Sequence, residues 1–349
     1  MRVAIDMQLA LGTATGIGEY ARGLANSVRA QGVDVVELSE PGLDPWRFDR
    51  RVAWDQFVLP RRARESRADL LHCASGTMPL ALPMPTVVTV HDVAWLKVQR
   101  HTRAYARYYF GAFALKRYKG ARAIAVDSQF SRAQLYDVLD VPEERVHVVY
   151  PGVAPDFCAL TRAPATERVI LVPGTVERRK NLEVLIHALP QIDAARIVSV
   201  GPSTPYRSEC ERVAAELGVG DRLHFRGYVP REELLELYAR CALVAVPSKY
   251  EGFGYPAAQA LCAGVPLVVS DRSSLPEVVD GSAPVVSADD PAQWHQTIAR
   301  ILADRSGANA HAQAQRDRAI TRFSWSSSAS KMRSVYQFAL GTAVAGRTM

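Results

Sequence analysis

The chain has 349 residues, 48% of them hydrophobic and 22% charged, with a formal net charge of +6. This is long for one domain and comfortable for two, and the mild positive balance suits acidic small molecules, nucleic acid or an anionic membrane surface. Five scattered cysteines without a CxxC spacing argue against a disulfide framework or a zinc site, and no apolar run approaches the ~18 residues of a spanning helix.

In chain order, the opening "RVAIDM" (2–7) reads as a first strand, not a signal peptide. Short β-branched runs follow: "VDVVEL" (33–38), "DLLHCA" (69–74), "TVVTVHD" (86–92), "AIAVDS" (123–128) and "VHVVYPG" (146–152). A second series comprises "RVILVPG" (168–174), "RIVSVGP" (196–202), "LHFRGY" (223–228), "LVAVPS" (243–248), "PLVVSD" (266–271) and "APVVSA" (283–288). Apolar runs without alternation suit parallel strands buried on both faces. Helical patterns lie between them, at 17–31, 129–139, 181–190, 206–217, 230–240 and 291–303, and a last one at 324–340. Strand–helix alternation of this kind predicts α/β architecture with doubly wound parallel sheets. The Pro- and Ala-rich stretch 154–168 interrupts it, which predicts an N-terminal Rossmann-like domain over 1–160 and a second over 165–323. The helix from about 324 to the chain end at 349 could pack on either. Ligands of open α/β sheets bind beyond the carboxyl ends of the strands, so the residues just after the strands carry the chemistry.

The turn "SKYEGFGYPAAQALCAG" (248–264) joins a strand to a helix. Gly252 and Gly254 permit close backbone approach, Pro256 suits a first helical turn, and the helix start favours a phosphate. Glu251 repels phosphate and fits sugar hydroxyls instead; a phosphate beside hydroxyls describes a nucleotide sugar. In "PGTVERRKNLEVLIHAL" (173–189), Arg178, Arg179 and Lys180 precede a helix whose expected N-cap is Asn181. Cations there oppose the helix dipole and call for an external anion such as a diphosphate, with Lys180 first and Arg179 second. Gly12, Gly16 and Gly18 after the first strand resemble a phosphate loop, with Glu19 expected to begin the helix. His91 and Asp92 end a buried strand where a substrate could meet them; Asp6 and His72 also end strands but suit the core as well. No HxH or HExxH spacing indicates a metal. Between Asp92 and Asp127 there is no acidic residue, but Lys97, Arg100, Arg103, Arg107, Lys116, Arg117, Lys119 and Arg122 alternate with Trp95, Tyr105, Tyr108, Tyr109, Phe110, Phe113 and Tyr118. This stretch fits an anionic bilayer surface, nucleic acid, or a basic helix with its aromatics in the core.

Taken together, these motifs resemble the retaining glycosyltransferases of family 4, which have the GT-B fold. "GIGEY", "DSQFSRAQL" (127–135), "VVYPGV" (148–153) and "FSWSSSASKMRSVY" (323–336) carry part of the likeness. "GTVERRKNLEVLIHAL" and "FRGYVPREELLELYARCALVAVPSKYEGFGYPAAQALCAGVPLVVSD" are its specific part. The resemblance implies two Rossmann-like domains facing across a cleft, and sugar transfer from a nucleotide diphosphate sugar with retained configuration and no bound metal or other cofactor. It implies that Glu251 meets donor-sugar hydroxyls and that Gly252, Phe253 and Gly254 lie against the sugar. Arg179 and Lys180, with Gly16, Gly18 and Gly254, would hold the diphosphate. Gly227 and Tyr228 would line the base pocket, and His91 would position donor or acceptor. Where the family has a second glutamate for the ribose, this chain has Gln259. The style of the motifs is most like bacterial GDP-mannose-dependent mannosyltransferases of surface-polysaccharide assembly. That implies a glycan or lipid-linked glycan acceptor and a cytoplasmic enzyme resting on the membrane through residues 95–122, with no nucleic-acid partner. The rival readings are a glycosyltransferase with another UDP, GDP or dTDP sugar as donor, an epimerase of nucleotide sugars, a non-catalytic paralogue acting as a scaffold, and a nucleic-acid binder using the basic stretch.

Overall fold

The computed structural model describes residues 1–12, 16–94, 108–163 and 167–342. Two compact units emerge, Met1–Gly152 with Ser324–Met349, and Val153–Phe323. Each is built on one six-stranded, all-parallel sheet covered by helices, so the α/β expectation holds in both.

The first sheet contains β1 (Arg2–Asp6), β2 (Asp34–Leu38), β3 (Leu70–Cys73), β4 (Thr86–Val90), β5 (Ala123–Val126) and β6 (Val146–Val148), in the order β2-β1-β3-β4-β5-β6. The second contains β7 (Val169–Pro173), β8 (Arg196–Val200), β9 (Leu223–Gly227), β10 (Leu243–Val246), β11 (Leu267–Ser270) and β12 (Val285–Val286), ordered β12-β11-β10-β7-β8-β9. Every expected strand forms. β3, β4, β5, β10 and β11 are buried along their whole length, which is why their sequences run apolar without alternation. The edge strands β2 and β9 carry exposed positions.

The first unit leaves its chain at Gly152, not at residue 160. Residues beyond it are already bound to the second unit. Val153 N–H donates to Phe323 O (2.8 Å), and Phe157 is buried against the Tyr238 ring, 5.0 Å between centroids. The helix Trp325–Ala339 packs with the first unit. Its buried face, Met332, Val335 and Tyr336, joins Tyr20, Leu24 and Val28 of the helix Gly16–Ala30 in one apolar cluster. Ser324 caps it, accepting from Ser327 N–H at 3.1 Å.

Two helical segments carried no clear signal. Arg305–Arg322 is helical although only Ala312 and Ala319 are buried; alanine at the contact positions leaves no strong apolar period. Phe48–Ala53 and Leu59–Glu65 are joined by a π-helical turn, Trp54–Val58, which breaks the 3.6-residue spacing.

Of the basic, aromatic stretch, Trp95, Lys97, Arg100, Arg103, Tyr105 and Arg107 lie outside the described residues. In the remainder the surface expectation is corrected for three side chains. Tyr109, Arg117 and Tyr118 are buried. The Arg117 guanidinium donates to Met78 O (2.7 Å) and Tyr109 O (2.9 Å) and lies over the Tyr109 ring at 4.4 Å. Tyr108, Lys116, Lys119 and Arg122 do face solvent. Among the described residues no helix is long and apolar enough to cross a membrane.

A side chain at Gly23 or Gly152 would collide with the Trp325 indole, which fills the space both glycines leave open. Gly23→Ala should therefore undock the last helix in part and cost about 1–3 kcal/mol of stability, the range for overpacking a filled core, as read from urea unfolding.

Candidate donor site

In the second sheet the strand order reverses between β7 and β10, which pair in parallel with Leu243 opposite Ile170 and Val244 opposite Leu171. The carboxyl ends of two strands flanking such a reversal form a natural ligand crevice. The loop after each strand carries one of the two motifs.

After β7 the chain passes Gly174, makes a 3-10 turn over Arg178–Lys180 and enters the helix Leu182–Ala188. Asn181 does not cap this helix through its side chain, as was expected. It sits in the left-handed region (φ 56°), buried, and its Nδ2 donates to Pro247 O (3.1 Å) and Ala288 O (2.8 Å). The amide thus rivets the basic turn to the loop after β10. Lys249 N–H donates to Arg179 O (2.7 Å) and adds a second rivet.

After β10 the loop runs through Ser248 and Glu251 to Gly254, which precedes the helix Tyr255–Cys262 with φ 95°. A side chain there would be strained and would also press on Leu275. Glu251 is 6% exposed. Its Oε1 accepts from Lys180 Nζ (2.6 Å) and Ser248 Oγ (2.8 Å), and its Oε2 stands 3.5 Å from Arg179 Nη1. Burial pushes the carboxyl up, but Lys180 and Arg179 outweigh it and hold it below the ordinary range. Ser273 and Ser274 pin the backbone: Glu251 N–H donates to Ser273 Oγ (3.0 Å), and Ser274 Oγ donates to Glu251 O (3.0 Å) and Phe253 O (2.7 Å).

The structure therefore gathers Arg179, Lys180, Glu251, Gly252 and Gly254 along one rim. Gly227 joins it: Gly174 N–H donates to Val200 O and Gly201 N–H to Gly227 O, both at 2.8 Å. Tyr228 projects beyond β9, 57% exposed. Phe253 departs from expectation, since its ring is buried between Tyr255 and Phe323 and serves the core. Gln259 lies half-buried in the helix Tyr255–Cys262, where its Oε1 accepts from Tyr238 OH at 3.3 Å.

In the first unit the helix begins at Gly16, so Gly16 and Gly18 occupy its first turn and Glu19 does not start it. His91 follows β4, with Nδ1 2.7 Å from Asp127 Oδ2 and Nε2 2.9 Å from Ala74 O. A backbone carbonyl only accepts, so Nε2 carries a proton, and Nδ1 faces the Asp127 carboxyl. Burial pushes the imidazole down, but Asp127, the Ala74 carbonyl and Asp92 outweigh it, leaving His91 above its ordinary value. The Asp127 carboxyl is itself raised, because burial exceeds the pull of His91. Tyr20, from the helix begun by Gly16, sets its ring edge-on to His91 at 4.8 Å. His72 is a core residue: Nδ1 meets Tyr336 OH (2.7 Å), Nε2 meets Thr89 Oγ1 (2.8 Å), and burial lowers it to about 3, so it stays neutral. Asp6 is buried, accepting from Trp54 Nε1 (3.0 Å) and Ser75 Oγ (2.7 Å). The sequence marked Asn181 only as a cap, and it did not single out Ser248, Ser273, Ser274 or Asp127 as site residues. Of these four, only Asp127, a polar residue ending a buried strand as His91 does, left a signal.

With this geometry in view, comparison defines the class. Residues 159–319 match the family model for glycosyl transferases group 1, and residues 14–157 that for glycosyltransferase family 4. An MMP alpha-(1->4)-mannosyltransferase of Mycolicibacterium hassiacum is 28% identical over 302 residues, 81% of this chain and 73% of that protein. A D-inositol 3-phosphate glycosyltransferase of Corynebacterium efficiens is 32% identical over 62% of this chain, which spans 56% of that protein. In fold, the sucrose-phosphate synthase of Thermosynechococcus elongatus superposes with a TM-score of 0.76 at 23% identity, covering 96% of this chain and 98% of that one. Anabaena HepE in complex with UDP and glucose gives 0.76 at 17% identity, covering 97% and 99%. The chain is a transferase enzyme, a glycosyltransferase of the GT-B type. Its first unit carries the family 4 domain and its second the group 1 domain.

The His91 pair has a testable sign. A folded-state value above the unfolded one contributes stability that is full below about pH 6.5 and is lost as pH rises through the folded value. The unfolding free energy should therefore fall across that window, and the His91 Cε1–H resonance should titrate above the ordinary histidine range. Asp127→Asn should abolish both effects; an unchanged His91 titration in that variant would show that the carboxylate does not set it.

Proposed function

We propose that the protein moves a sugar from a nucleotide diphosphate sugar to an acceptor hydroxyl with retained anomeric configuration. The observation that carries this reading is the buried Glu251 carboxylate facing Lys180 and Arg179 at the strand-order reversal. Departure of a diphosphate builds negative charge, which preset cations stabilise without reorganisation. In this reading Lys180 and Arg179 take that charge, Glu251 accepts hydrogen bonds from donor-sugar hydroxyls, and Gln259 meets the ribose. Substitution proceeds on the front face: the bond from sugar to diphosphate breaks, the acceptor oxygen bonds to the same carbon face, and its proton passes to the leaving phosphate. His91 positions donor or acceptor. The reading needs no resident metal, because the protein's own cations supply the positive charge.

For the donor we favour GDP-mannose, supported by the mannosyltransferase among the relatives and the style of the basic turn. UDP sugars come next, since HepE was crystallised with UDP and with UDP-glucose. A glycan or lipid-linked glycan in bacterial polysaccharide assembly is the favoured acceptor class. The exposed Tyr108, Lys116, Lys119 and Arg122 suit the surface of the membrane that would hold it.

A thermal-shift screen of GDP, UDP and dTDP sugars tests the reading and names base and sugar together. One donor should stabilise strongly, and the product should keep the donor's anomeric configuration by NMR; silence across the panel would defeat the proposal. Lys180→Met should lower turnover by about 10²-fold or more, as loss of transition-state charge stabilisation does. Gln259→Glu should tighten donor binding by about 1 kcal/mol for each ribose bond made to a charged acceptor; an unchanged affinity would remove position 259 from the ribose.

A further inference from the structure

Every cation of the turn after β7 already holds a carboxylate. Arg178 Nη2 meets Glu209 at 2.5 Å, Arg179 Nη2 meets Glu177 at 2.7 Å, and Lys180 Nζ meets Glu251 at 2.6 Å. The turn was expected to want an external anion; instead it is neutralised from within. The first two acids are partly exposed, with side-chain accessibilities of 40% and 30%. Pairs of that kind yield to a competing anion at little cost. Glu251 differs. Its side chain is 8% accessible and serves both Lys180 and Arg179. Ser248 holds its Oε1, and Ser273 and Ser274 hold its backbone. It cannot swing out to make room for a phosphate.

Two ligands would meet this fixed charge differently. A sugar-linked diphosphate brings hydroxyls that donate to the carboxylate as the phosphates take over the cations. A bare nucleoside diphosphate brings no such donors, and its terminal phosphate gains a second ionisation near pH 6. It must therefore place more negative charge beside a carboxylate whose cations it shares and to which it offers no hydroxyl in return. We propose that Glu251 makes the site selective for sugar-bearing over bare nucleoside diphosphate, so that once the sugar has left, the carboxylate re-pairs with Lys180 and Arg179 and drives the product out. This rests on the donor-site reading above.

The test is titration calorimetry with the nucleoside diphosphate and the sugar nucleotide of whichever base the screen selects. It is run on wild type, Glu251→Gln and Lys180→Met. Glutamine retains one acceptor, for Lys180 and Ser248, removes the charge, and turns a donor towards Arg179 in place of the second carboxylate oxygen. Glu251→Gln should bind the bare diphosphate about tenfold more tightly, the order of effect of removing one unit charge beside a bound phosphate, and bind the sugar nucleotide no better than wild type. Lys180→Met should weaken both ligands. If Glu251→Gln leaves diphosphate affinity unchanged or weakens both ligands alike, while Lys180→Met weakens both, the selectivity role is overturned and the donor site stands. If Lys180→Met affects neither ligand, the donor-site reading itself falls, and this inference with it. Should Glu251→Gln not fold, Glu251→Asp, which withdraws the carboxylate from Lys180 by one methylene, should tighten the bare diphosphate by a smaller factor; no tightening overturns the proposal.

Discussion

The parallel pairing of β7 with β10 is the constraint on which the rest of the site depends. It brings together two loops whose key residues are 71 positions apart in sequence, so that Lys180 and Glu251 meet at 2.6 Å. Both strands are buried among neighbours, and a one-residue slip would turn their side chains to the opposite face. The cost of such a slip fixes the register, and the register fixes which residues of the two loops face each other. Asn181 then converts proximity into rigidity, by satisfying two carbonyls of the facing segments from a strained left-handed position.

The site is a concentration of charge in which nearly all partners are internal. Burying Glu251 costs solvation, and two cations and a serine hydroxyl offset it. The result is an ionised carboxylate in a place where an isolated one would tend to protonate. In the proposed donor-site reading, a ligand that enters must exchange these contacts for better ones. The first unit uses a related device at the end of β4, where Asp127 and the Ala74 carbonyl raise the half-buried His91 imidazole above its ordinary value against the opposing effect of desolvation.

Much of this was legible in the chain. All twelve strands could be read, because strands covered on both faces must be apolar throughout and so stand out as short unbroken runs. The Glu251 turn and the basic turn also stood out, because a glycine-rich turn with one acid and three cations at a helix start are locally unusual, but the internal carboxylates that pair with those cations were not legible. Three things stayed hidden for physical reasons. Helices that touch their neighbours through alanine, such as Arg305–Arg322, show little hydrophobic period. The fates of Tyr109, Arg117 and Tyr118 depended on whether Asp55, Met78 and Gly76 lay within reach to satisfy them. Asn181 looked like a cap because its distant carbonyl partners, Pro247 and Ala288, cannot be inferred from neighbouring residues.

Composition, strand spacing and turn chemistry are local properties, and they alone determined the α/β class, the two sheets and the identities of the residues that bear charge. Tertiary structure alone decided how those charges are spent. Pairing is a matter of distance, and the distances from Lys180 to Glu251, from His91 to Asp127 and from Asn181 to Ala288 are set by strand order and register, which place residues far apart in the chain within a few ångströms of one another.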